Sequence, residues 1–298
     1  MLLLQQLLNG LVVGSVYALF ALGFTLVFGV LHVLNLAHGA VFMAGAFAGL
    51  FAVASLHWPL AVAVPFAMLA GGLLSVAVDW LAFRPLRRRR APEFSAIVSS
   101  IGAGLVLVSL AQRASNTQVM RFPFDAFPVR LYDVAGLRIS LLQIVIMLTV
   151  AAMVAGLIAL VRRTSFGRQL RAVAVSPRTA SLLGVNPAAV YFITFFVSGA
   201  LAGLAGVLIG LSFNSVHFLM GESFMLKGLV VVVLGGLGSI GGAVVGGLLL
   251  GLVHTLVVAF LSSQLSDAII FGLLFLLLLA RPQGLFGALS REGRVVRQ

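Results

Sequence analysis

The chain has no cysteine, one lysine and only seven acidic residues among its 298. Without cysteine there is no disulfide framework and no cysteine-based zinc site, and the redox compartment stays open. The lone lysine is Lys227, in Leu226-Lys227-Gly228, so the G-x-x-x-x-G-K-[ST] phosphate loop is absent and this chain holds no ATP by that device. Charged residues make up 9% of the sequence, against about 25% in soluble domains. That scarcity excludes a soluble enzyme, a disordered chain and a nucleic-acid-binding domain.

Apolar residues are plentiful: 61% of the chain, with a mean hydropathy of +1.19. At roughly 20 residues per membrane-spanning helix, this suffices for about nine spans. The net charge of +12 looks basic enough for nucleic acid, but its distribution marks one membrane face instead. One cluster runs Arg84-Pro85-Leu86-Arg87-Arg88-Arg89-Arg90. A second holds Arg162, Arg163, Arg168, Arg171 and Arg178, and the tail carries Arg281, Arg291, Arg294 and Arg297 against Glu292. The positive-inside rule places all three in the cytoplasm.

Parity supports this. Phe94–Gln112 and Ser140–Val161 are helix-length apolar runs, so the loop Arg113–Arg138 lies on the opposite side, its four arginines offset by Asp125 and Asp133. Upstream, apolar runs at about 7–31, 36–56 and 60–83 put the N-terminus outside, and the uncharged Met1–Gln6 does not resemble the basic start of a signal peptide. Downstream, 189–212, a short run at 224–238, 243–261 and 266–281 give four crossings and a cytoplasmic C-terminus. The expectation is an all-α polytopic bundle of about nine spans, within a range of eight to ten, with broken or short helices near 35–39 and 224–242. Helices are required because the bilayer core offers backbone groups no other partner. Residues 1–298 read as one transmembrane domain containing a cytoplasmic loop at 162–188.

The spans hold almost no ionisable residues: Asp79 and Asp267 fall near predicted helix ends, Glu222 and Lys227 near an outer loop. An ion-coupled carrier usually needs a mid-membrane carboxylate, so uphill transport here would draw its energy from elsewhere. Gly236-Leu237-Gly238-Ser239-Ile240-Gly241 matches G-x-G-x-x-G, but the next acid is Asp267, beyond another apolar run, which is wrong for a dinucleotide fold. Gly10/Gly14, Gly45/Gly49, Gly199/Gly203, Gly206/Gly210 and Gly247/Gly251 instead read as small-xxx-small ladders for close helix packing. The five histidines lack a metalloprotease spacing, and no metal site, cofactor or catalytic set is expected. Asn35-Leu36-Ala37-His38-Gly39 is a polar break between apolar runs, either a simple turn or a discontinuous helix lining a path; Gly235–Gly242 is its candidate counterpart. In the loop at 162–188, Leu170, Val173 and Ala174 share a helical face beside Arg168 and Arg171, and Gly184 and Pro187 act as stop signals. Such a helix suits an anionic lipid surface or a groove on a soluble partner equally well.

These residues resemble permease subunits of bacterial ABC importers for branched-chain and related hydrophobic amino acids. The matching stretches are Asn9-Gly10 with Gly14–Leu19, Ala21–Leu26, Asn35–Gly39 for the family's Asn-Phe-Ala-His-Gly, Phe166–Asn186, Leu234–Gly242 and Arg281–Gly287. They cover about residues 8–287 in order, and the short N-terminus is similar to the smaller of the family's two permease types. The resemblance implies a non-catalytic half-transporter of the inner membrane, working with a second permease, two cytoplasmic ATPases and an extracytoplasmic binding protein. It implies a translocation path near Asn35, His38, Gly39, Gly235, Gly236, Gly238, Gly241 and Gly242. It also implies an ATPase-coupling segment of Phe166, Gly167, Arg168, Arg171, Ala172, Ala180, Leu183 and Gly184, where Gly167→Asp or Gly184→Trp is expected to uncouple transport with the fold intact. Leu36 replaces the family's usual Phe, and Ser176-Pro177-Arg178 stands where relatives commonly have an acid. Related systems carry leucine, isoleucine and valine, others urea, short amides or aromatic acids, and selectivity rests largely on the binding protein. The competing readings are a self-contained facilitator or secondary transporter, and an intramembrane enzyme, for which scattered His, Asn and Ser offer no cluster.

Overall fold

The computed structural model describes residues 1–89, 91–123, 126–128, 130–134 and 136–286. Arg90, Asp125, Gly287 and the arginines after Arg281 lie outside them.

Long runs of Leu, Val, Ala and Phe have no partner for their backbone in hydrocarbon except the next turn of the same helix, and the chain folds accordingly. Nine helices stand where apolar runs were expected: α1 (Leu2–Leu31), α2 (His38–Ala54), α3 (Leu60–Val78), α5 (Glu93–Ala114), α6 (Leu141–Arg163), α9 (Pro187–Phe213), α10 (Met220–Gly235), α11 (Ile240–Phe260) and α12 (Ser263–Ala280). Seven spans are long and apolar enough to cross a bilayer, α3 continuing through a π-helical turn at Asp79–Phe83 into α4 (Arg84–Arg88). The other two, α2 with 17 residues and α10 with 16, are short. Two further helices, α7 (Ser165–Val175) and α8 (Pro177–Leu182), fill the loop between α6 and α9. The only departure from an all-helical chain among the described residues, apart from an isolated bridge between Met120 and Val216, is a small hairpin. It pairs β1 (Leu131–Val134) with β2 (Leu137–Ser140), Tyr132 opposite Ile139 and Asp133 opposite Arg138.

Helix α1 is apolar all round and is the axis of the bundle. Of its central window 83% is buried, against 11% for α12, as expected for a helix without a polar face. Its start docks on the hairpin, where the Gln5 amide donates to the Arg138 carbonyl and accepts from the Arg138 N–H at 2.9 and 3.0 Å. Its other end lies near Arg87 and α7. The bundle thus has a hairpin end and an arginine end. At the arginine end the Arg87 guanidinium grips Asp79 with two bonds, 2.6 and 3.1 Å, and lies 4.3 Å over the Tyr191 ring, tying α4 to α9.

The architecture repeats itself upside down. Helix α1 ends at His32 and α9 at Asn214, both in the left-handed conformation with φ of 57° and 44°. After each comes a short non-helical lead-in, and six residues on a short helix begins, α2 at His38 and α10 at Met220. Helix α1 then packs along α11 as α9 packs along α3. Because α1 runs toward the arginine end and α9 away from it, the halves are inverted, an arrangement common in transporters. The glycine ladders form the seams. A Cβ on Gly251 would fall on the Gly14 backbone, and one on Gly45 on Gly203, so backbones touch where larger residues would hold them apart.

Candidate translocation and coupling sites

The lead-in before α2 is non-helical, with a bend at Val33 and a turn at Leu36–Ala37, so its N–H groups need partners other than a helix ladder. The Leu36 N–H donates to Ser100 Oγ of α5 at 3.1 Å, and Asn35 Oδ1 accepts from the Ala37 N–H at 3.2 Å. His38 follows, fully buried. Its Nε2 lies 3.2 Å from the Phe20 carbonyl, which can only accept, so that nitrogen carries the proton. Nδ1 faces Ser198 Oγ at 3.5 Å, and Ser198 Oγ donates to the Gly23 carbonyl at 2.7 Å. His38 therefore knots α1, α2 and α9 together.

Where α2 crosses α10, Gly39 meets Gly221, and a Cβ on either would overlap the other's carbonyl oxygen. Aromatic rings fill the space around this crossing: Phe20 sits 4.7 Å from His38 and 5.4 Å from Phe42, Phe42 stacks on Phe224 at 4.7 Å, and Tyr17 abuts Phe224 at 5.4 Å between centroids. The middle of this subunit is plugged. Asn35, His38 and Gly39, expected to line a path, are in this conformation packed interior. They set the position of α2.

Gly235–Gly242 also differs from the expectation. It is the turn joining α10 to α11 near the arginine end, with Gly236 and Gly238 at φ of 96° and 83° and Gly235 packed on Gly242. A Cβ on Gly241 would meet nothing within 4 Å. The inverted counterpart of residues 32–39 is 214–221, a segment that sequence reasoning missed because His32 and Asn214 share a backbone conformation and no side-chain chemistry. The Arg281–Phe286 stretch, which in the sequence carries only a resemblance, has a structural task. Leu285 and Phe286 N–H groups donate to the Leu234 and Gly235 carbonyls at 2.8 and 3.3 Å, capping the end of α10. Lys227 lies mid-way along α10, not beside a loop, and reaches Asp267 of α12 at 3.5 Å.

The segment between α6 and α9 is built by successive caps. Thr164 caps α7, Ser176 caps α8 with Pro177 in its first turn, and Asn186 caps α9 with Pro187, while Gly184 takes φ 82° to end α8. Phe166, Gly167, Leu170 and Val173 turn inward. Arg171 donates to the Val161 carbonyl at 2.7 Å, closing the last turn of α6. Of the coupling residues read from sequence, Phe166, Gly167 and Ala180 are buried, Ala172 is half-buried, and Arg168, Arg171, Leu183 and Gly184 are exposed. A Cβ on Gly167 would fall on the Val161 carbonyl, so Gly167→Asp disrupts the α6–α7 junction and cannot leave the fold intact. The outward apolar surface is Val175, Leu182 and Leu183, 86, 82 and 78% exposed. Val175, at the last position of α7, and Leu182, on a six-residue helix too short to show a period, were missed.

Comparison with known proteins agrees with this architecture. The model of the branched-chain amino acid transport system / permease component family matches residues 6–279. The high-affinity branched-chain amino acid transport system permease protein BraD of Pseudomonas aeruginosa is 35% identical, with 95% of each chain covered. Its counterpart LivH of Escherichia coli strain K12 is 34% identical, again over 95% of each. Among solved structures, a metal-chelate type ABC transporter in an inward-facing conformation aligns with a TM-score of 0.50 at 18% identity, covering 91% of this chain and 85% of that one, a likeness of fold alone. With a family match over nearly its whole length and relatives of its own size, this multi-pass chain belongs to the permease components of branched-chain amino acid transport systems, a family of transport subunits and not of enzymes.

Proposed function

We propose that the chain is one half of the membrane channel of an ATP-driven importer in a bacterial inner membrane, carrying branched-chain or related hydrophobic amino acids. The observation that carries this reading is the outward Val175–Leu182–Leu183 surface at the arginine end of a chain with no phosphate loop of its own. Three solvated apolar side chains on capped short helices suit a groove on a soluble partner better than a lipid surface, for which a longer apolar face flanked by cations would be needed. Two cytoplasmic ATPases would seat against this surface, and their closure on ATP would move α7 and α8 against the ends of α6 and α9.

Because the aromatic plug closes the subunit's own middle, the solute passes between this permease and a second one. The faces available are those of α5, α6 and α12, only 17, 22 and 11% buried within the subunit. In this arrangement 35–39 and 235–242 act as scaffold, holding the path-facing helices. The N-terminus and the hairpin lie outside, where a solute-binding protein docks, and the arginine end and C-terminus inside. Affinity purification of tagged protein from native membranes in mild detergent, followed by mass spectrometry, tests the assembly. Recovery of two ATPase copies and a second permease supports it; a homo-oligomer alone, with solute flux in liposomes, would favour a self-contained facilitator.

A further inference from the structure

Side chains from four helices meet in the half of the bundle nearer the hairpin. Lys227 Nζ of α10 lies 3.5 Å from Asp267 Oδ1 of α12. Next to Asp267, Ser266 Oγ lies 2.7 Å from His254 Nδ1 of α11. The His254 ring stands edge-on to Tyr17 of α1, 6.0 Å between centroids, and Tyr17 in turn packs against Phe224. Tyr17 is at the middle of α1, and Asp267 stands five residues into α12, about 6 Å along its axis at 1.5 Å per residue. Lys227 therefore sits within a span, where the sequence had suggested an outer loop, and Asp267 lies in the second turn of α12, near the helix end the sequence had suggested.

The two charges are unequally covered. The Lys227 side chain is 16% exposed and that of Asp267 is 64% exposed. An ionised carboxylate facing lipid tails is strongly disfavoured, and intramembrane charges turn instead toward water-filled cavities. Asp267 is carried on the open face of α12, the least buried of the long helices in this subunit, where water or a neighbouring subunit would have to cover it. Beyond Asp267 that helix exposes apolar side chains such as Phe271, Phe275 and Leu276, while its first turn exposes the polar Ser263 and Gln264. A charged pair on an apolar wall would hold a lone ion by one of its members and repel it by the other. A zwitterion satisfies both.

We propose that Lys227 and Asp267 form a transient binding station for the head group of α-amino acid solutes in the translocation path. The solute carboxylate accepts from the Lys227 ammonium, the solute ammonium donates to the Asp267 carboxylate, and the four charges alternate in a ring with no net charge. The proposal rests on the importer reading and adds to it the residues that meet the solute.

The test is uptake of radiolabelled L-leucine by the complete assembly of both permeases, ATPases and binding protein in proteoliposomes, each variant checked by gel filtration before reconstitution. Wild-type assembly that shows no ATP-dependent uptake overturns the importer reading itself. Given wild-type uptake, Lys227→Met and Asp267→Asn are each expected to lower it at least tenfold, and Asp267→Glu to retain most of it. The deciding variant is Lys227→Met with Asp267→Leu. A pair that serves only as a strut is replaced by apolar residues with little loss, so wild-type uptake in the double variant overturns the proposal, as do single variants within twofold of wild type. Uptake as low in the double variant as in the singles supports it.

Discussion

Gly39 and Gly221 stand where the backbones of the two short helices cross, and each occupies space that a methyl group on the other would need. Over-packing a tight core costs about 1–3 kcal/mol and more where backbone must move. Gly39→Leu is therefore expected to lower the heat-induced unfolding midpoint of the purified subunit by several degrees or to prevent its recovery from the membrane. Gly241→Leu, with open space beside it, should leave the midpoint within a degree; fluorescence-detected gel filtration after heating reads both. Equal losses at the two positions would remove the close crossing as their cause. The stretch Asn35–Gly39 stands out in the sequence as polar atoms in an apolar setting, and the structure keeps it distinct. Its task is not legible there, because Phe20, Ser198 and Ser100, the partners that turn a candidate path into a knot, lie far along the chain. Asp79 and Arg87, eight residues apart, read in the sequence as separate charges; their bond arises from the π-helical turn between them.

The long spans are legible because hydropathy alone demands them, and seven of nine can be read within a few residues of their ends. The lead-ins are not, since what repeats is a left-handed residue followed by a short non-helical stretch and a turn, and His32–Ala37 and Asn214–Leu219 carry different side chains. The segment at 162–188 is legible as an amphipathic pattern, yet the pattern identifies the face that packs inward. What is left outward is the other side, and there α8 contributes most. Leu182→Asp with Leu183→Asp places two charges on a surface that supports no buried contact of this chain, so folding should be unaffected. In reconstituted assemblies this double variant is expected to reduce ATP-dependent leucine uptake tenfold or more and to weaken co-purification of the ATPases. Unchanged uptake and co-purification would exclude α8 as the contact.

Over the whole molecule, burial falls from the axis outward: α1 and α9 are largely enclosed, while α5, α6 and α12 show most of their surface. The net charge of +12 is concentrated toward one end, which is why charge and parity can be used to orient the chain. The absence of cysteine makes that orientation directly measurable. A Gln118→Cys variant, exposed near the hairpin end, should react with a membrane-impermeant maleimide on intact spheroplasts, and a Ser181→Cys variant on α8 only in inverted vesicles. The reverse labelling would turn the molecule over. The lead-ins carry a further consequence, for synthesis. When α1, α2 and α3 leave the ribosome, Ser100, which accepts the Leu36 N–H, has not yet been made. The first half must therefore wait in the translocon's neighbourhood with that group unsatisfied until α5 arrives. The second half enters on a prepared template, since Met120 and Phe122, which bind Val216 and Asn214, already exist. Closure comes last, when Leu285 and Phe286 reach back to the end of α10, so a nascent chain released before residue 285 leaves the membrane with its first half settled and its second half open.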